Sequence, residues 1–227
     1  MKFFIDTANL SQIREAAALG ILDGVTTNPT LMAREGIRGE RAISSHYRAI
    51  CSIVEGDISA EVLSTDFDSI VEEGVKLAAL HPNIVVKVPM IKDGVKAIKW
   101  FSDNDIKTNC TLVFSAGQAI VAAKAGATYV SPFIGRIEDT GWDGVALIEQ
   151  IVRLYRVQGF SAQVLAASIR SAGHITRCAE AGAHVCTCPL DSILGLLNHP
   201  LTESGLANFL EDSKKMQQAA ALEESVA

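Results

Sequence analysis

Eight short apolar runs recur along the chain, at 3–6, 22–26, 58–63, 84–88, 106–111, 128–131, 163–167 and 184–187. They lie about 20–35 residues apart with helix-like stretches between them, the pattern of repeated βαβ units and a parallel sheet. Eight such units in 227 residues predict a single α/β domain closed as a (β/α)8 TIM barrel. An open doubly wound sheet is the alternative, but it usually carries fewer strands. The intervening stretch 66–80 places Phe67, Ile70, Val71 and Val75 on one helical stripe, with Thr65 as its expected N-cap. Segments 94–101, 116–125, 145–157 and 173–181 read as helices too. Gly126, Gly159 and Gly182 stand where helices end, as left-handed C-terminal residues do. Two segments exceed the minimal barrel: a helix over 40–54 before strand three, and a helical tail from Thr202. The barrel domain with its C-terminal helix is expected over 1–218, and a frayed tail over 219–227.

Composition narrows the functions open to this fold. With 48% hydrophobic and 20% charged residues, the chain carries enough apolar surface to form a core. A net charge of -6, 6% aromatics and no basic run argue against a nucleic-acid partner. No apolar run approaches the roughly 18 residues of a membrane span, so no membrane partner is expected. Before Asp6 only Phe3, Phe4 and Ile5 form an apolar stretch, too short for a signal-peptide core. The five cysteines, Cys51, Cys110, Cys178, Cys186 and Cys188, read as reduced thiols of a cytoplasmic protein. His184, Cys186 and Cys188 share a strand face. That could recruit a soft metal, but the geometry is poor for a tetrahedral site and core packing is the better reading. No two glycines stand two residues apart, so G-x-G-x-x-G is absent, as are P-loop and H-E-x-x-H motifs.

In a parallel barrel, loops at the carboxyl ends of the strands surround one mouth, so polar residues at those ends carry the information about chemistry. Nearly every run has one or more: Asp6; Thr26 and Asn28; Glu61; Lys87; Asn109 and Thr111; Ser131; then Ser168 and Arg170. Alternation puts Phe4 with Asp6, Ser59 with Glu61, Val85 with Lys87, and Lys107 with Asn109 and Thr111. Lys87 is the sharpest signal, set in Ile84-Val85-Val86-Lys87-Val88-Pro89. Burial in such a strand disfavours the ammonium, and a neutral amine attacks a ketone to form a Schiff base. The plainer alternative is a strand-end lysine snorkelling to water. Asp6 and Glu61 add what a Schiff-base aldol reaction needs. One group takes a proton from a substrate hydroxyl, and another shuttles protons as the carbinolamine dehydrates. A buried salt-bridge network at the mouth is the structural alternative. Arg136, Ser168 and Arg170 could form a phosphate clamp, with planar bidentate donors and a hydroxyl. Two surface arginines in ion pairs would give the same spacing.

Taken together, these motifs resemble the small transaldolases and the related fructose-6-phosphate aldolases. The matching pieces are Phe4-Ile5-Asp6-Thr7-Ala8, Gly24-Val25-Thr26-Thr27-Asn28-Pro29-Thr30, Val85-Val86-Lys87-Val88-Pro89, Asn109-Cys110-Thr111-Leu112-Val113-Phe114-Ser115, Ser131-Pro132-Phe133-Ile134-Gly135-Arg136 and Val164-Leu165-Ala166-Ala167-Ser168. The resemblance implies Lys87 as the Schiff-base lysine and Asp6 as acid/base at the substrate C4 hydroxyl. It implies Glu61 and Thr111 as holders of the catalytic water, and Asn28 and Asn109 as contacts to substrate hydroxyls and the intermediate. Arg136, Ser168 and Arg170 match the phosphate site, and Thr26, Ser131 and Phe133 join the substrate-binding set. The aldolase branch resembles a pattern with glutamine where Glu61 stands and tyrosine where Phe133 stands. Glu61, Asn109, Ser131, Phe133 and Arg170 are of the transaldolase type. The implied reaction moves a dihydroxyacetone unit between sugar phosphates in the pentose phosphate pathway. The donor is sedoheptulose 7-phosphate or fructose 6-phosphate, and the acceptor glyceraldehyde 3-phosphate or erythrose 4-phosphate. No metal or organic cofactor is expected, because the iminium is the electron sink. Relatives of this size are commonly homo-oligomers, decamers of two stacked pentamers. A fructose-6-phosphate aldolase and a non-catalytic sugar-phosphate-binding barrel are the rival expectations.

Overall fold

The structure, a computed structural model, describes residues 1–226, with side chains through Leu222. Eight parallel strands close in sequence order into one barrel. They are β1 (Lys2–Asp6), β2 (Gly24–Thr26), β3 (Asp57–Glu61), β4 (Ile84–Pro89), β5 (Thr108–Val113), β6 (Tyr129–Pro132), β7 (Gln163–Ala166) and β8 (Val185–Cys188). The helices of this unit are α1 (Leu10–Ala18), α2 (Pro29–Arg34), α3 (Glu40–Cys51), α4 (Phe67–Ala78), α5 (Lys92–Asp103), α6 (Ala116–Lys124), α7 (Ile134–Glu138), α8 (Gly144–Gln158), α9 (Ala172–Glu180) and α10 (Leu190–Leu194). The expected helix before strand three is α3. The short helices α2 and α7 were not anticipated.

Alternation along the strands divides the core in two. Ile5, Val25, Ile58, Val86, Val88, Val130 and Val164 lie on the outer strand faces and are fully buried. Phe4, Val85, Tyr129, Leu165 and Val185 fill the barrel interior. Phe4 and Tyr129 meet edge to face, with ring centroids 5.8 Å apart. That packing requires Gly24, where a Cβ would lie 2.6 Å from the Phe4 ring and 2.5 Å from the carbonyl of Asp57. Below the aromatic pair, the Tyr129 hydroxyl donates to Asp57 at 2.8 Å, and Lys107 pairs with the same carboxylate at 2.9 Å. The apolar plug and this polar floor occupy the lower barrel.

Local signals explain most boundaries, with one correction. α4 is capped by Asp66, whose carboxylate accepts from Ser69 N–H at 3.0 Å, and not by Thr65. The three expected helix-terminating glycines all take positive φ: +94° at Gly126, +68° at Gly159 and +81° at Gly182. Cys186 and Cys188 are fully buried, and among the described residues no cluster of His, Cys, Asp or Glu has the arrangement of a metal site. No helix among the described residues is long and apolar enough to cross a membrane.

By contact density, the barrel unit spans Met1–Ile193 and a second unit begins at Leu194. The second unit has a 3-10 turn over Gly195–Leu197 and the long helix α11 (Pro200–Val226). Leu201, Phe209, Leu210 and Met216 are exposed along α11. The tail expected over 219–227 is helical through Val226, and Ala227 lies outside the described residues.

Candidate active site

Strand register assembles the polar residues at the mouth. Asp6 pairs with Thr26 across β1 and β2, Glu61 with Lys87 across β3 and β4, and Lys87 with Asn109 across β4 and β5. Because alternate residues face inward, these side chains form one polar layer above the apolar plug. They open into a cavity of about 100 Å³ lined by Asp6, Thr26, Asn28, Lys87, Ser131 and Phe133, with Arg136, Ser168 and Thr187. The same mouth continues past Glu61, Thr111, Leu112 and Arg34.

Lys87 is 5% exposed, so its ammonium needs partners inside the barrel. It has two. Its Nζ lies 2.9 Å from Glu61 Oε2 and donates to the carbonyl of Thr27 at 3.0 Å. The Thr27 hydroxyl in turn donates to Ser59 O at 3.0 Å and lies 2.8 Å from the Tyr47 hydroxyl. Burial pushes the Tyr47 phenol up to about 12, so it stays protonated beside this seat. The β2–α2 turn is therefore rigid where it meets the lysine. Its other half follows from Asn28-Pro29: Asn28 caps α2 by accepting from Leu31 N–H at 3.0 Å, and proline occupies the first helical turn.

Two further hydrogen-bond chains flank the lysine. The Thr26 hydroxyl donates to Asp6 Oδ1 at 2.7 Å and lies 2.6 Å from the Thr187 hydroxyl. Thr26 has one proton and gives it to the carboxylate, so Thr187 donates to Thr26. On the other side, Ser131 donates to Asn109 Oδ1 at 2.6 Å, and Asn109 Nδ2 donates to Ser59 at 3.0 Å. Asn109 is fully buried, and both ends of its amide are paired. The Thr111 hydroxyl is buried without a hydrogen-bond partner among the described residues. Just beyond it Leu112 takes φ +60°, and the β5–β6 register shifts between Cys110 and Val113. A bulge of this kind re-aims side chains beside a site.

One side of the mouth is built from α7 and the β7–α9 loop. The Arg136 guanidinium lies over the Phe133 ring, 4.8 Å from its centroid, a cation–π contact between two residues of the cavity lining. Gly135 lets the loop approach: its N–H donates to Ser168 O at 3.2 Å, and a Cβ there would sit 2.3 Å from that oxygen. Arg170 is not brought to the cavity. Its guanidinium forks onto Asp139, each contact 2.5 Å, and this pairing holds the Asp139 carboxyl below its ordinary range. The ion-pair alternative raised by spacing describes Arg170 as it stands in this structure.

Of the residues expected from sequence, the structure gathers all but Arg170 at or directly behind the mouth, Asn109 being the one behind it. Three contributors were not anticipated. Thr187 obeys the same strand-end rule, but the neighbouring cysteines dominate the reading of β8. Arg34, exposed at the end of α2, lines the mouth with no ion pair among the described residues. The Thr27 carbonyl is backbone, which carries no side-chain signal.

A (β/α)8 barrel with a buried lysine, two carboxylates and an arginine converging on its mouth defines a class of enzyme-like barrels. Residues 3–227 match the family described as Transaldolase/Fructose-6-phosphate aldolase, and the chain belongs to that family. It is similar to a probable transaldolase of Cytophaga hutchinsonii, 66% identical over 216 residues, covering 95% of this chain and 99% of the relative. A probable transaldolase of Bacteroides fragilis is 66% identical over 218 residues, covering 96% and 100%. A probable transaldolase of Porphyromonas gingivalis is 61% identical over 218 residues, covering 96% and 99%. Among solved structures, a thiamine phosphate pyrophosphorylase from Pyrococcus furiosus superposes with TM-score 0.55 at 16% identity, covering 82% of this chain and 84% of that one. That likeness reports the fold alone.

Proposed function

We propose that the chain is a transaldolase that moves a dihydroxyacetone unit from a ketose phosphate to an aldose phosphate through a Schiff base on Lys87. The observation that carries this reading is the buried Lys87–Glu61 contact of 2.9 Å, opening on a cavity that also holds Asp6 and Arg136. Glu61 takes the ammonium proton as Lys87 Nζ attacks the C2 ketone. It returns a proton to the carbinolamine oxygen, which leaves as water. The unpartnered hydroxyl of Thr111 suits it to hold that water. Asp6, held by Thr26, takes the C4 hydroxyl proton, and the C3–C4 bonding electrons flow into the iminium. An aldose phosphate leaves, and a dihydroxyacetone enamine stays on Lys87. A second aldose phosphate binds and the steps reverse. Arg136 and the Ser168 hydroxyl hold the substrate phosphate in this scheme, Asn28 meets a substrate hydroxyl, and Asn109 acts from behind the mouth by holding Ser131.

Phe133 favours transfer over simple cleavage. A phenyl ring offers no proton to the enamine, so the enamine persists until an acceptor arrives. The test is acceptor dependence with fructose 6-phosphate. Without an acceptor, glyceraldehyde 3-phosphate release should stop after one enzyme equivalent, and adding erythrose 4-phosphate should start turnover. Sustained dihydroxyacetone release without acceptor would identify a fructose-6-phosphate aldolase instead. Phe133→Tyr should raise that acceptor-free release, and an unchanged ratio of hydrolysis to transfer removes the role given to the phenyl ring.

A further inference from the structure

We infer that His174 is a positioning residue that latches the phosphate side of the mouth; this rests on reading Arg136 and Ser168 as the phosphate contacts. Ser168 sits at φ +60°. A residue with a Cβ costs roughly 1–2 kcal/mol in that left-handed region, and such strain persists only where the surroundings over-determine it. On its upstream side the loop is held by α7: Ile134 N–H donates to Ala167 O at 3.0 Å and Gly135 N–H to Ser168 O at 3.2 Å. On its downstream side the hold is a histidine. The backbone N–H of Arg170 donates to His174 Nδ1 at 3.3 Å.

That bond fixes the ring's tautomer. Nδ1 accepts, so the proton sits on Nε2, which lies 2.9 Å from Glu138 Oε2. Glu138 is the last residue of α7, the helix that carries Arg136. The imidazole therefore ties the Ser168 loop, the first turn of α9 and the Arg136 helix into one piece. Arg177 braces the same carboxylate from 3.9 Å while it pairs with Asp143 at 2.8 Å. His174 does not line the cavity. Its effect reaches the substrate only through the placement of Ser168 and Arg136.

The competing role is plain helix capping, since His174 follows the N-cap Ser171, whose Oγ accepts His174 N–H at 3.2 Å. Substitutions separate the two roles. His174→Gln completes a Ser-x-x-Gln capping box: its side chain turns back to the N–H of Ser171 and leaves that of Arg170 unpaired. His174→Asn places an oxygen near the Nδ1 position and keeps the Arg170 bond.

The experiment measures kcat and KM for fructose 6-phosphate and for unphosphorylated fructose in the wild type and both variants, with hydrogen exchange at the Arg170 amide. His174→Gln should raise the KM for fructose 6-phosphate about five- to tenfold, the effect of one lost hydrogen bond. Its kcat, its KM for fructose and its melting temperature should hold, and the Arg170 amide should lose protection. His174→Asn should restore the protection and, because it keeps the Arg170 bond but stops short of Glu138, only part of the KM. An unchanged KM for fructose 6-phosphate, or equal rises for both sugars, overturns the inference. If the wild type does not distinguish the two sugars, the phosphate reading fails on its own. Amide exchange then decides the latch: lost protection in His174→Gln upholds it, and unchanged protection overturns it.

Discussion

Replacing Thr26 by valine keeps the β-branched shape and deletes one hydroxyl, with two separable consequences. Asp6 loses the donor that holds its carboxylate at 2.7 Å, and Thr187, 3% exposed, keeps a hydroxyl proton with no acceptor. A hydrogen bond to a charged group is worth about 1.5–3 kcal/mol. If Asp6 takes the C4 proton in the rate-limiting step, that loss appears as a fall in kcat of about 10- to 150-fold. The orphaned Thr187 hydroxyl costs about 1–3 kcal/mol of stability. In a domain of this size that lowers the melting temperature by about 2–12 °C. The double variant Thr26→Val/Thr187→Val removes the orphan, so it should recover stability but not kcat. The assays are thermal unfolding by circular dichroism and a coupled assay for glyceraldehyde 3-phosphate. A kcat close to wild type in Thr26→Val, or kcat restored in the double variant, would refute the claim that Thr26 orients Asp6.

Other consequences can be checked with less effort. Arg136→Ala should weaken phosphorylated donors while leaving dihydroxyacetone as donor nearly unaffected, and an equal loss for both argues against an anion contact. All five thiols are buried, and burial pushes Cys110 up to about 12. A thiol reagent should therefore label none in the native protein and all five after denaturation; rapid native labelling contradicts the packing. Burial, and secondarily the positive chain terminus, pushes His184 below the ordinary histidine range, while its Nδ1 accepts from Val164 N–H at 3.1 Å. The unfolded chain binds this proton near pH 6.5, about the usual histidine value, whereas the native state resists it. The stability His184 contributes is thus present above that pH and lost as pH falls below it. His184→Asn keeps an acceptor and should flatten the acid-side decline in melting temperature; an unchanged slope rules out His184 as its source.

The barrel was legible because each strand is short, largely apolar and separated from the next by a helix-length segment. Boundaries followed less closely. β5 runs to Val113 because its register with β6 shifts after Cys110, and no glycine marks that irregularity. The helix α2 was hidden inside a loop motif, although Asn28 before Pro29 is a capping signal in its own right. In the site, side chains on strand ends were readable, since a polar residue in an apolar run has few other reasons to be there. What sequence could not supply was pairing across the fold. Arg170 reads as a second phosphate ligand until Asp139, on another element, takes its guanidinium. Likewise His174 looks like an ordinary residue early in a helix until Glu138 is placed opposite its ring.

Trapping with borohydride tests the central claim most directly. The protein is incubated with fructose 6-phosphate alone, reduced, and read by intact mass and by the peptide that contains Lys87. A three-carbon adduct on Lys87 that persists without an acceptor is the predicted result, and Lys87→Ala should show neither adduct nor turnover while remaining folded. A folded wild-type protein that binds the sugar phosphate yet carries no adduct on Lys87 would contradict the mechanism and leave a sugar-phosphate-binding barrel in its place.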